Sequence, residues 1–144
     1  MSLTASPSGL LLRRHPSAVA RANLYTIAAA YATGIGYGDL VSLNTNGTIT
    51  QAAASADGIG AFAGVEYIDA QGKPTESKNW PTGGVAGATN IKAYVYDGED
   101  NVYAIQAAAT GTGYDQSAIG AQVDIVAGVP VAATGQSVMS ASAT

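Results

Sequence analysis

Apolar and polar residues alternate through Ile91-Lys92-Ala93-Tyr94-Val95-Tyr96, which sets Ile91, Ala93 and Val95 on one face of a strand and Lys92, Tyr94 and Tyr96 on the other. Turn formers follow at Asp97-Gly98-Glu99-Asp100-Asn101, then a second apolar run at 102–106, so the stretch predicts a β-hairpin. Two more hairpins are predicted upstream. Segments 40–43 and 48–51 flank Asn44-Thr45-Asn46-Gly47, where Asn-Gly suits the positive φ of a tight turn. Segments 60–68 and 75–80 flank Asp69-Ala70-Gln71-Gly72-Lys73-Pro74. The expected turn centres are Asn46-Gly47, Gln71-Gly72 and Gly98-Glu99. Runs at 119–126 and 129–133 read as two further strands, and no ten-residue helical period competes. Short strands spaced by roughly 8–12 residues predict an all-β body, a small sandwich or barrel.

The first 23 residues break this pattern. Pro7, Gly9 and Pro16 lie among small residues, and Pro16 biases His15 toward an extended backbone, so 1–23 is expected to be an extended arm. The body is expected at 24–133, with glycine- and alanine-rich loops at 83–88 and 107–113. A small-residue tail at 134–144 is expected to behave as a second arm. Charge sharpens the division. Arg13, Arg14 and Arg21 are the only arginines and the first acid is Asp39, so the arm carries three positive charges while three lysines and ten acids charge the remainder, within a net charge of -4. A cationic strand leaving an anionic body suits attachment to another anionic surface, and the arm is expected to contact other chains more than its own body.

Only 11% of the residues are charged, against about 25% in ordinary globular domains, and tyrosine accounts for 8 aromatics beside one Trp and one Phe. Such a surface resembles one meant to be covered, although an ordinary Ala/Gly-rich β protein has the same composition. Net acidity does not suit a general nucleic-acid binder. Leu10-Leu11-Leu12 is too short for a secretion signal or a membrane span, so neither a nucleic-acid nor a membrane partner is expected.

The material for chemistry is thin. Cysteine is absent, and His15 is the one histidine, with no acid near it in sequence to orient it. No G-x-S-x-G elbow occurs. The oxygen-rich 97–101 segment lacks the spacing of an EF-hand and reads as a solvated turn. Gly34-Ile35-Gly36-Tyr37-Gly38 precedes a strand rather than a helix and has no following Lys-Ser/Thr, so it reads as a backbone bend and not a phosphate loop. No enzymatic activity, metal or cofactor is expected. Trp80, Tyr67, Tyr94 and Tyr96 could form a glycan platform, which makes a glycan-binding β-module on a virion or cell surface the second reading. Core or intersubunit packing is the favoured role for these rings.

Several stretches, in order, resemble the capsid cement or decoration proteins of tailed bacteriophages: Pro7-Ser8-Gly9-Leu10, Arg14-His15, Arg21-Ala22-Asn23-Leu24-Tyr25-Thr26-Ile27-Ala28 and Tyr31-Ala32-Thr33. The likeness continues with Gly38-Asp39-Leu40-Val41, Gly47-Thr48-Ile49, Gly64-Val65-Glu66-Tyr67, Ser77-Lys78-Asn79-Trp80-Pro81 and Ala93-Tyr94-Val95-Tyr96-Asp97, and covers about residues 7–106. The tail after Gly128 has no counterpart in that pattern. The resemblance implies a structural virion protein without catalytic activity, made in the host cytoplasm and placed on the outer capsid surface. There it would bind the major capsid protein and copies of itself, as a dimer or trimer. On this reading Arg13, Arg14, His15, Arg21 and Asn23 of the arm, with Trp80, Tyr94 and Tyr96 of the body, are the candidate contacts to capsid or neighbouring copies.

Overall fold

Strand β7 (Thr89–Tyr96) realises the alternation. Ala93 and Val95 are fully buried and Ile91 packs against the core, while Lys92, Tyr94 and Tyr96 take the other face. Antiparallel to it runs β5 (Gly60–Ile68), from Ala61↔Tyr96 to Ile68↔Thr89. Around this pair lie β2 (Asn23–Tyr25), β3 (Leu40–Leu43) and β4 (Ile49–Gln51) in the order β2-β7-β5-β3-β4, and β6 (Pro74–Ser77) pairs with the far end of β5. Two small ribbons complete the protein: β1 (Leu11–Arg14) with β8 (Val102–Ala104), and β9 (Ile125–Val126) with β10 (Ser140–Ala141). This computed structural model describes residues 7–15, 19–108 and 114–142. Among them the one helical segment is a 3-10 turn at Gln116–Ala118, so the protein is all-β.

The main sheet curls around one core. Its end strands approach at a single parallel bridge, Thr26↔Thr48, where the Ile49 N–H donates to the Thr26 carbonyl at 2.9 Å, and the sheet stops short of a closed barrel. Inside lie Ile27, Ile35, Val41, Ile49, Phe62, Val65, Trp80, Ala93 and Val95. Burying a side chain of the Val, Ile or Phe class contributes about 1.5–3 kcal/mol, so this cluster is the main source of cohesion in a chain without disulfides.

Two expected hairpins form as read. β3 and β4 pair around Asn46-Gly47, and β5 and β6 around Gln71-Gly72, with both glycines at positive φ. The third does not. A turn is present at 98–101, closed by the Asn101 N–H on the Gly98 carbonyl at 3.0 Å, but β8 leaves β7 and pairs with β1. Both edges of β7 are already occupied, one by β5 and the other by β2 through Asn23↔Val95 and Tyr25↔Ala93. The runs at 119–126 and 129–133 also differ from expectation: only Ile125–Val126 is strand, and Val131 makes an isolated bridge to Gln136.

The N-terminal stretch is extended, as expected, but residues 9–14 are docked on the chain's own body, which corrects the expectation that the stretch packs little there. The Leu10 N–H donates to the Gly38 carbonyl at 2.8 Å, the Gly9 N–H to the Met139 carbonyl at 3.2 Å, and Leu11–Arg14 pairs with β8. Gly9 is required there: it has φ +73°, and a Cβ would lie 2.4 Å from the Gly38 oxygen and 2.5 Å from Ser137 Oγ. The tail is docked too. Ser137, Met139, Ser140 and Ala141 are buried, and Gln136 Nε2 donates to the Ser8 carbonyl at 2.8 Å, so the described part of 134–144 is not a free arm. The portions of the expected arm, loop and tail at 1–6, 16–18, 109–113 and 143–144 lie outside the described residues.

Candidate partner-binding surface

Three ladder positions hold β1 against β8: Leu11↔Ala104, Leu12↔Tyr103 and Arg14↔Val102, with an irregularity between Leu12 and Arg14. Leu11 and Leu12 are half-buried, and Arg13 and Arg14 are exposed. The ribbon thus uses its leucines to seat itself and presents two adjacent cations outward. Tyr103 ties it to the main sheet by donating its hydroxyl to the Tyr96 carbonyl at 2.5 Å. His15 follows half-buried. Arg21 is exposed, and Asn23 opens β2, its Nδ2 donating to Asp97 Oδ1 at 2.8 Å while the Tyr25 hydroxyl donates to Asp97 Oδ2 at 2.5 Å. That bond to Asp97, with burial second, pushes the Tyr25 phenol above its ordinary range. Among the described residues the one ion pair is Lys92–Glu66 at 3.1 Å, so no described acid neutralises Arg13, Arg14 or Arg21.

Exposed aliphatic side chains accompany these cations. Val102, opposite Arg14, is 53% exposed, and Leu24 on β2 is 56% exposed. A second set lies in the C-terminal region, where Ile119 is 79% and Val129 70% exposed, with Val123, Val126 and Val131 also exposed. Single exposed aliphatics are ordinary, and these five lie within residues 119–131 of a weakly charged chain.

The structure does not gather all the expected contacts on one surface. Tyr94 and Tyr96 lie on the outer face of β7, with Tyr96 next to the β1–β8 ribbon. Trp80 is a correction: it has no exposed surface, its Nε1 donates to the Tyr31 carbonyl at 2.8 Å, and its ring meets Tyr67 edge-on at 5.7 Å. A ring so enclosed can touch no partner in the folded state. The four-ring glycan platform therefore does not form, because Trp80 and Tyr67 pack at the core while Tyr94 and Tyr96 face the opposite way.

Sequence reasoning passed over Asp39. It is fully buried where the loop 34–38, β4, the N-terminal stretch and the C-terminal stretch meet. Its Oδ2 accepts from the Gly36 N–H and from Gln51 Nε2, both at 2.7 Å, and the same Gln51 amide reaches the Gly128 carbonyl at 2.8 Å. No donor meets Oδ1 in hydrogen-bond geometry. Burial raises the Asp39 carboxyl above the usual carboxylate range, against the opposing pull of Ser137, Gly36 and Gln51. The only sequence signal was a lone acid after a Gly-Tyr-Gly bend, which reads equally well as a turn.

Among the described residues no group of three or more His, Cys, Asp or Glu is placed to hold a metal ion, and no helix is long and apolar enough to cross a membrane. Comparison with protein-family models, with curated proteins and with solved structures finds no match to this chain.

Proposed function

We propose that this chain is a structural cement protein of a tailed-bacteriophage head, seated on the outer capsid surface and bridging neighbouring major capsid proteins. The observation that carries the reading is the exposed Arg13-Arg14 pair, held on a seated ribbon beside exposed Val102 with no described acid to neutralise it. The sequence likeness to cement proteins and the low surface charge support it.

Docking of residues 7–14 on the body changes how such attachment would work. A free strand loses conformational entropy when it binds, whereas guanidinium groups on a seated ribbon have part of that ordering cost already met. Arg13 and Arg14 would form forked hydrogen bonds to carboxylates of the capsid protein, a geometry that lysine does not reproduce. Val102 would be covered beside them, and repetition over the lattice would multiply weak single contacts.

The test is to add the purified chain to expanded heads and to unexpanded procapsids of its parent phage, both assembled without it, and to sediment them. Saturation at a fixed ratio of chain to capsid protein on expanded heads supports the proposal. Failure to saturate on either particle contradicts it.

A further inference from the structure

The outer face of the β7-β5-β6 sheet carries a second feature, one that involves neither Arg13 nor Arg14. Antiparallel partners share a face, and the registers Glu66↔Lys92 and Glu66↔Glu76 lay Lys92, Glu66 and Glu76 in one row across three strands. Beside that row, Gly64 stands opposite Tyr94. Lys78 follows β6 and Tyr37 lies beyond it, with the ammonium 5.3 Å from the centre of the Tyr37 ring and also donating to Gln136 Oε1 at 3.0 Å. Tyr37, Gly64, Glu76, Lys78 and Tyr94 line an open depression of about 420 Å³. A second depression of about 420 Å³ continues past Glu76 along Glu66 and Thr75 to Asn90.

We propose that this trough is a binding site for a neutral, extended oligosaccharide, with Tyr94 and Tyr37 as its aromatic walls and Gly64 as its bare floor. Three observations favour that ligand class. First, β5 is paired with β7 at Gly64 and with β6 from Val65 to Ile68, so along most of the trough a peptide cannot add to β5 as a strand and recognition must come from side chains. Second, Glu66, Glu76 and Lys78 line the site and Lys92 pairs with Glu66 beside it, which leaves no net charge to select an ionic ligand while supplying acceptors and donors for hydroxyl groups. Third, the floor carries no side chain: buried Gly64 has φ +135°, at an irregularity in the β5–β7 ladder, a conformation that L side chains rarely adopt, and a Cβ would approach the Ser77 carbonyl at 3.2 Å.

Two opposed carboxylates at Glu66 and Glu76 are an arrangement that costs stability across a strand pair. Lys92 offsets it on the Glu66 side at 3.1 Å. In the trough both groups would accept hydrogen bonds from ring hydroxyls, and the tyrosine faces would lie against the apolar C–H faces of the sugars. The inference does not depend on the capsid reading, since neither Arg13 nor Arg14 takes part in the trough.

The test uses the intact chain and NMR titration with maltohexaose, cellohexaose, chitohexaose and a mannan oligosaccharide, with heparin hexasaccharide and a tyrosine-free hexapeptide as comparators. The expected result is saturable binding of at least one neutral oligosaccharide, with shifts confined to the amides of 63–66, 76–78 and 92–94. Tyr94→Ala and Tyr37→Ala should each weaken it by about tenfold. Glu76→Gln, an isosteric change at an exposed position, should weaken it without altering the melting temperature. Binding of heparin or peptide alone, no binding of any neutral sugar, or neutral-sugar binding unchanged in all three variants would overturn the proposal.

Discussion

Asp39 and Trp80 show how individual side chains govern this molecule. Because burial raises the Asp39 carboxyl, the folded state holds that proton more tightly than the unfolded chain does. Its contribution to stability is therefore fully present below the ordinary aspartate value of about 3.9 and is lost as pH rises through the elevated folded value. Asp39→Asn retains an oxygen for the Gly36 N–H and Gln51 Nε2 and removes the buried charge. It should raise the melting temperature at pH 7 by roughly 4 °C, equivalent to about 1 kcal/mol, with the gain over wild type shrinking toward pH 4. A gain that stays constant with pH, or a loss that is largest at pH 7, would show that burial of the charge is not the governing cost. Trp80→Ala removes the largest ring of the core and its hydrogen bond to Tyr31. The expected loss is about 3–5 kcal/mol in urea unfolding, enough to leave the chain largely unfolded if its total stability is ordinary. The chemistry of Trp80 suits an interface as well as a core. Burial of a single tryptophan depends on which strands surround it, and no local period reports that.

Among the elements, legibility followed contact distance along the chain. The face of β7 and the turns at Asn46-Gly47 and Gln71-Gly72 were readable, because alternation and turn chemistry act within a few residues. The pairing of β8 was not. Alternation shows that 102–104 can form a strand but not that Leu12, some ninety residues away, is opposite Tyr103. The C-terminal region was misread for another reason: its small side chains carry no period, and they are buried by close fit, as where Gly9 lies against Ser137. An element-scale prediction follows from the docking of the first stretch. Deleting residues 1–14 should leave β8 unpaired, lower stability by at least about 2 kcal/mol through lost ladder and loop hydrogen bonds, and remove amide-exchange protection at 102–104. Unchanged exchange at those amides would mean that β1 does not hold β8.

For the molecule as a whole, cohesion and attachment are assigned to different residues. Ile27, Phe62, Trp80 and Val95 hold the fold, and Arg13, Arg14 and Arg21 are spare to it, being exposed and unpaired with any described acid. The double substitution Arg13→Ala with Arg14→Ala should shift stability by no more than about 0.5 kcal/mol per site. The same variant should bind expanded heads more weakly and with a shallower dependence on salt, since exposed pairs are screened over about 8–10 Å at moderate ionic strength. Equal binding by variant and wild type at all salt concentrations would move attachment to the aliphatic surface around Ile119 and Val129. The most direct measurement of the central claim is a cryo-electron microscopy reconstruction of expanded heads saturated with the chain. Ordered density is expected at fixed lattice positions spanning two or more capsid subunits, with the β1–β8 ribbon against the shell and Arg13 and Arg14 meeting capsid carboxylates. Heads that remain bare at saturating concentration, or density that contacts the shell only through other faces of the body, would contradict it.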